Sequence, residues 1–119
     1  MRVLNLRAPY FRMVQSGRKT VEGRLNKPEL HSLKVGERIR FQRENQAHNF
    51  VNVKVISLRT YPTFREMLDK EGLHRCLPDV KSLEEGVHLY HSFPSYYEKE
   101  KLYGALAIRI QLDNLGEKA

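Results

Sequence analysis

The stretch that decides the fold is Gly17-Arg18-Lys19-Thr20-Val21-Glu22-Gly23-Arg24. It opens on a glycine, suited to stopping a helix, and continues into residues of extended character. Alternation along a strand from Lys19 to Leu25 puts Thr20, Glu22 and Arg24 on one face, with Lys19 at its mouth. A carboxylate and two cations then converge within a few residues. Glu22 accepts hydrogen bonds only and suits an amine or a ribose hydroxyl. Arg24 offers a planar donor fork for a phosphate or a base edge. Lys19 adds a mobile point charge. A plain salt bridge between Glu22 and Arg24 is the alternative that the spacing alone leaves open.

Upstream, Val3 to Leu6 reads as a first strand. Pro9 fits the first turn of a helix, and Phe11 and Val14 share a buried face before Gly17. Arg7 closes the first strand and is placed either to reach the same cleft and hold phosphate or to rest in solvent. Downstream, Asn26 to Lys34 reads as loop. Glu37 to Gln42 is a strand with one wet face, Glu37 being its mismatch. Arg43 to Asn49 is a polar turn. Phe50 to Leu58 is a β-branched run whose parity switches near Val55, which calls for a bulge or burial of both faces. Thr63-Phe64-Arg65-Glu66 and Ser82-Leu83-Glu84-Glu85 are capping boxes. The first starts a helix burying Phe64, Met67 and Leu68 and ending near Gly72. The second puts Leu83, Val87 and Tyr90 on one stripe and ends before Pro94. Ser95 to Tyr103 is polar and aromatic, and Gly104 to Leu112 alternates as the cleanest strand. Asp113 to Ala119 is expected to be a frayed tail.

Strands and helices in mixed order give an α+β domain over residues 1–112, a small twisted barrel of about five to six strands with two or three short helices. The 119 residues can bury a core without disulfides, and Cys76 is the only cysteine. That suits a reducing, cytoplasmic setting. No run of apolar residues is long enough to span a membrane. Twenty-one Lys and Arg against fourteen Asp and Glu leave a formal charge of +7. This favours an anionic partner such as RNA or a nucleotide.

The residues also carry a resemblance. Gly17, Lys19, Glu22 and Arg24 fill the four fixed positions of G-x-K-x-x-E-x-R, the signature of the ASCH family, a branch of the PUA-like superfamily. Val35-Gly36-Glu37-Arg38-Ile39, the segment Leu77 to Tyr90 and the ending Tyr103 to Ile110 resemble that family too. The resemblance implies a β-barrel with a cleft between barrel and helices, lined by Lys19, Glu22 and Arg24. It implies binding of RNA or a nucleoside-like ligand and no cofactor. Family members include a ribonuclease and a branch that hydrolyses the amide of an acetylated cytidine. In the latter, a Thr three residues after the signature Lys serves catalysis, and here that position is Glu22. If the chain is a hydrolase, Lys19 and Glu22 are its expected catalytic pair. A third reading is a protein-interaction module in transcriptional coregulation.

Two further groups stand out. Tyr90, Tyr96, Tyr97 and Tyr103 lie near Lys99 and Lys101, a pattern that suits base stacking. Tyr97, after Pro94, is the expected ligand contact among them, and Tyr90 and Tyr103 are expected in the core. His74, Cys76, His88 and His91 have no paired close spacing of the zinc type, so no metal is expected. Lys34, Arg38, Arg40 and Arg43 read either as a phosphate-tracking stripe or as a solvated strand face.

Overall fold

The computed structural model describes residues 1–113. Its first strand, β1 (Arg2–Leu6), runs into helix α1 (Ala8–Gln15), which has a proline in its first turn. Gly17, at φ +82°, turns the chain back toward β2 (Val21–Leu25). A 3-10 turn at Pro28–Leu30 precedes the hairpin of β3 (Arg38–Arg43) and β4 (Gln46–Tyr61). Four helices follow: α2 (Phe64–Glu71), α3 (Leu73–Cys76), α4 (Leu83–Ser92) and α5 (Tyr96–Tyr103). Strand β5 (Ala105–Leu112) closes the order.

The five strands form one sheet in the order β1-β3-β4-β5-β2. Only β1 and β3 are parallel; the other three pairings are antiparallel. The sheet curls into a half-barrel, so its edge strands β1 and β2 face each other across an open seam. That seam positions the candidate site.

Alternation along β5 sorts its residues between two cores. Leu106, Ile108 and Ile110 join Phe11, Val14, Ile39, Phe41, Val53 and Val55 inside the curl. Ala105 and Ala107 face the other way, against Phe64, Met67, Leu68, Val87 and Tyr90 of the helices. Small residues are needed on that face because the helices lie directly on it. Both expected capping boxes form their first half: Thr63 and Ser82 side chains accept from the backbone N–H of Glu66 and Glu85.

The parity switch in β4 is a bulge. Val55 pairs with Ile110 and Ser57 with Arg109, which leaves Ile56 unpaired and exposed. Several boundaries differ from the sequence reading. Strand β4 begins at Gln46, because the hairpin turns on Glu44 and Asn45, with Asn45 at φ 64°. The segment Ser95 to Tyr103, read as polar and aromatic loop, contains α5; a helix that buries no residue leaves no apolar period to read. Asp113, expected to fray, is tied by its N–H to the Asn52 carbonyl at 3.0 Å and by its carboxylate to Arg38 at 2.9 Å. The rest of the expected tail, 114–119, lies outside the described residues. Among the described residues no helix is long and apolar enough to cross a membrane.

Candidate functional site

The signature segment folds as a left-handed turn, a tuck and a short strand. After Gly17, the Lys19 N–H donates to Met13 and the Thr20 N–H to Arg75, which seats the segment between α1 and α3. The strand therefore begins at Val21, not Lys19. Thr20 lies away from the Glu22 face and lines a separate depression with Gly17 and Ile110.

Lys19 is only 2% exposed. Its ammonium donates to the Val21 carbonyl at 2.8 Å and the Cys76 carbonyl at 2.5 Å, and lies 3.4 Å from Glu22 Oε1. An ammonium has three protons, and three acceptors surround this one. Lys19 is thus a strut between β2 and α3 that fixes the Glu22 carboxylate. On the other side, Arg24 Nε donates to Glu22 Oε2 at 2.9 Å, and an Arg24 Nη donates to the Asn5 carbonyl at 2.6 Å. Because Asn5 is on β1, Arg24 bridges the open seam of the half-barrel. The salt bridge and the site are the same arrangement: Glu22 is paired from both sides and still opens on the cavity.

That cavity has a volume of about 200 Å³ and includes Asn5, Arg7, Tyr10, Lys19, Glu22, Arg24, Phe93 and Tyr96 in its lining. Its walls are aromatic. Phe93 stands edge-on to Tyr10 at 6.1 Å and to Tyr96 at 5.4 Å. Behind them Phe64 stacks on Tyr90 at 4.5 Å and on Tyr96 at 5.5 Å. The Arg7 guanidinium lies 4.9 Å over the Phe93 ring, at the exposed rim. Gly23 is required here, since a Cβ would come within 2.6 Å of both the Tyr90 hydroxyl and Met67 Cε.

Burial pushes the Tyr96 hydroxyl above its ordinary pKa; Arg24 draws it down and Glu22 up. Tyr10 is raised in the same way, by burial first, opposed by Arg7 and reinforced by Glu22. Tyr90 is raised well above the usual range, mostly by burial. All three therefore remain neutral hydroxyls facing a carboxylate. Arg7, Lys19 and Arg24 against Glu22 leave a surplus of positive charge in the lining. Arg24 has committed two of its five N–H donors and retains the others. The arrangement can hold an anionic group at the rim and accept N–H or O–H donors deeper in, at Glu22.

The structure brings Arg7, Lys19, Glu22 and Arg24 together. Tyr97 is placed elsewhere: it is 61% exposed, on α5, edge-on to His91 at 5.1 Å. Ser95 in the left-handed conformation starts α5 so that Tyr96, and not Tyr97, turns into the cavity. Sequence reasoning missed Tyr10, Phe93 and Asn5. Tyr10 carried a signal, since it lies three residues after Arg7 and so on the same side of α1.

The remaining groups are dispersed. His74 contacts the Val80 carbonyl and His91 the Glu100 carboxylate, each at 3.1 Å. Cys76 is fully buried, and burial pushes its thiol up to about 11. Among the described residues no three metal-ligating side chains cluster. Of the basic stripe, Arg38 pairs with Asp113, and Arg40 lies 4.0 Å over the Phe50 ring.

The ASCH domain family model matches residues 4–113. The crystal structure of hypothetical protein PH0355 is similar at 39% identity and TM-score 0.83, covering 95% of this chain and all of that one. The solution structure of PF0455 from Pyrococcus furiosus is 37% identical, with TM-score 0.72, covering 93% and 96%. A mutant of ZmASCH from Zymomonas mobilis shares the fold at 14% identity and TM-score 0.62, over 92% of this chain and 66% of that one. No curated protein matches the chain.

Proposed function

The chain belongs to the ASCH family, which is PUA-like and proposed to bind RNA, and on that footing we propose that it binds RNA or a nucleotide-like ligand at the seam between β1 and β2. The observation that carries this reading is the state of Glu22. It is a nearly buried carboxylate, held by Lys19 and Arg24, at the base of an aromatic-walled cavity with two arginines at its mouth. Such a carboxylate accepts a base N–H or a ribose hydroxyl. The arginines suit the attached phosphate. At about 200 Å³ the cavity is smaller than the ~300–1,000 Å³ of drug-sized ligand sites. It fits one unstacked base better than a stacked run, with the remainder of the ligand outside.

Lys19 serves as a positioning residue in this reading. A hydrolytic role that uses its amine gains no support, because the ammonium is hydrogen-bonded to two backbone carbonyls and ion-paired with Glu22. The experiment is fluorescence anisotropy with single-stranded and hairpin RNAs at low salt, where phosphate contacts are strongest. Binding that weakens in Arg24→Ala and Arg7→Ala supports the reading. An absence of binding even at low salt overturns it.

A further inference from the structure

A further concavity, of about 280 Å³, lies between α1 and the β3–β4 hairpin. Its polar lining is Arg12 and Gln15 from α1 and Arg43, His48 and Asn49 from the hairpin, with the Phe50 ring at one side. No acid is among the lining residues. Elsewhere, Arg2, Arg18, Arg24, Arg38, Arg65 and Arg109 each have a carboxylate partner. Arg12 and Arg43 have none among the described residues, nor do Arg7, Arg40, Arg59 and Arg75, but only Arg12 and Arg43 converge on one concavity. Glu44 follows Arg43 in the turn, but it is outside the lining and exposed. Two acid-free guanidiniums beside a histidine and two side-chain amides make a concave donor surface suited to phosphate.

Two observations favour an RNA strand over a free phosphate. The Phe50 ring is 43% exposed and already carries Arg40 on one face, so the groove has an aromatic border of the kind bases stack on. The groove also adjoins the first cavity. Leu6 lines that cavity and is in register with Arg43, which lines the groove; Arg7, the next residue, stands at the cavity mouth.

We propose that this groove holds the phosphates of a single-stranded RNA whose neighbouring base occupies the Glu22 cavity. The inference rests on the RNA reading of that cavity and adds a backbone track passing the N-terminal end of α1. The strand must be single there, because a base seated in the cavity has left its stack.

The test compares a labelled single-stranded RNA of about ten nucleotides with the four nucleoside monophosphates, using the full chain and its Arg12→Ala/Arg43→Ala variant. Loss of two phosphate contacts lowers the slope of log K against log salt by about 1.4, at roughly 0.7 per contact for a single strand. Oligomer affinity at low salt falls roughly tenfold or more, as charge-assisted contacts at this strength imply. Monophosphate affinity is unchanged, and Arg12→Lys/Arg43→Lys restores the slope. Arg12 is exposed and Arg43 half-buried, so an unchanged thermal midpoint verifies the fold. An unchanged oligomer affinity and slope in the alanine variant overturns the groove. Oligomer binding that depends on Arg12 and Arg43 but ignores Arg24→Ala keeps the groove and removes the cavity reading. A wild-type chain that binds no RNA overturns both.

Discussion

Replacing Lys19 by methionine separates a strut from a ligand contact. Methionine approximates the length of the side chain and fills its channel, so the change removes charge and donors with little loss of packing. Three acceptors are left behind: the Val21 and Cys76 carbonyls and the inner oxygen of Glu22. Lys19 is 2% exposed and Glu22 6%, so water cannot readily replace the lost partner. Breaking a buried pair by removing one member costs ~3–5 kcal/mol. For a domain of this size, at about 4 °C per kcal/mol, that is a fall of roughly 12–20 °C in Tm. Urea unfolding at neutral pH with and without the substitution is the assay. Arg18→Ala is the control, because the Arg18–Asp79 pair is more than half exposed on both sides and such pairs contribute ~0–1 kcal/mol. If Lys19→Met cost no more than Arg18→Ala, Lys19 would not be a strut, and the account of how Glu22 is held would fail.

Other consequences are open to direct measurement. Gly23→Ala forces a methyl group against the Tyr90 hydroxyl, whose ring is pinned by stacking on Phe64. A loss of ~1–3 kcal/mol is expected, and an unchanged denaturation midpoint would show that Tyr90 can move. Cys76, with its thiol pushed up to about 11 by burial, should resist alkylation at neutral pH until the chain unfolds. Alkylation of the native protein at a free-thiol rate would contradict its placement. Burial pulls the Glu37 carboxyl up, but hydrogen bonds from Arg2 and the Lys34 N–H outweigh that, and its pKa is lowered. A lowered carboxylate stabilises above the usual value of about 4.3 and loses that contribution as pH falls through the lowered value. The stability gap between wild type and Glu37→Gln should therefore shrink on acidification below about pH 4; a constant gap down to about pH 2 refutes it.

The sequence disclosed what repeats locally. Period-two alternation located β5, but only the structure shows that its second face packs into a core of its own against the helices. Capping boxes at Thr63 and Ser82 marked α2 and α4. The parity switch near Val55 called for a bulge or for burial of both faces, and the pairing with β5 decides for the bulge. What stayed hidden depends on contacts between distant segments. Nothing near Lys19 in the chain says that its ammonium meets the Cys76 carbonyl, 57 residues away. The half-barrel seam, which makes Arg24 reach Asn5, follows from strand order and not from any motif. The choice between Tyr96 and Tyr97 turned on the left-handed Ser95, a position where residues other than glycine are uncommon. Helix α5 fully buries none of its residues, Tyr96 being only half-buried, and so showed no stripe, although Gly104 at φ +72° ends it in the usual way.

The central claim is that the ligand enters between β1 and β2 and is read by Glu22. For a chain of 119 residues, the most direct measurement is a backbone amide NMR titration with single-stranded RNA at low salt. The expected result is a set of saturable shifts at Arg7, Tyr10, Glu22, Gly23, Arg24 and Tyr96, abolished in Arg24→Ala. Saturable binding that leaves these amides unmoved, with shifts confined to other surfaces, would contradict the account.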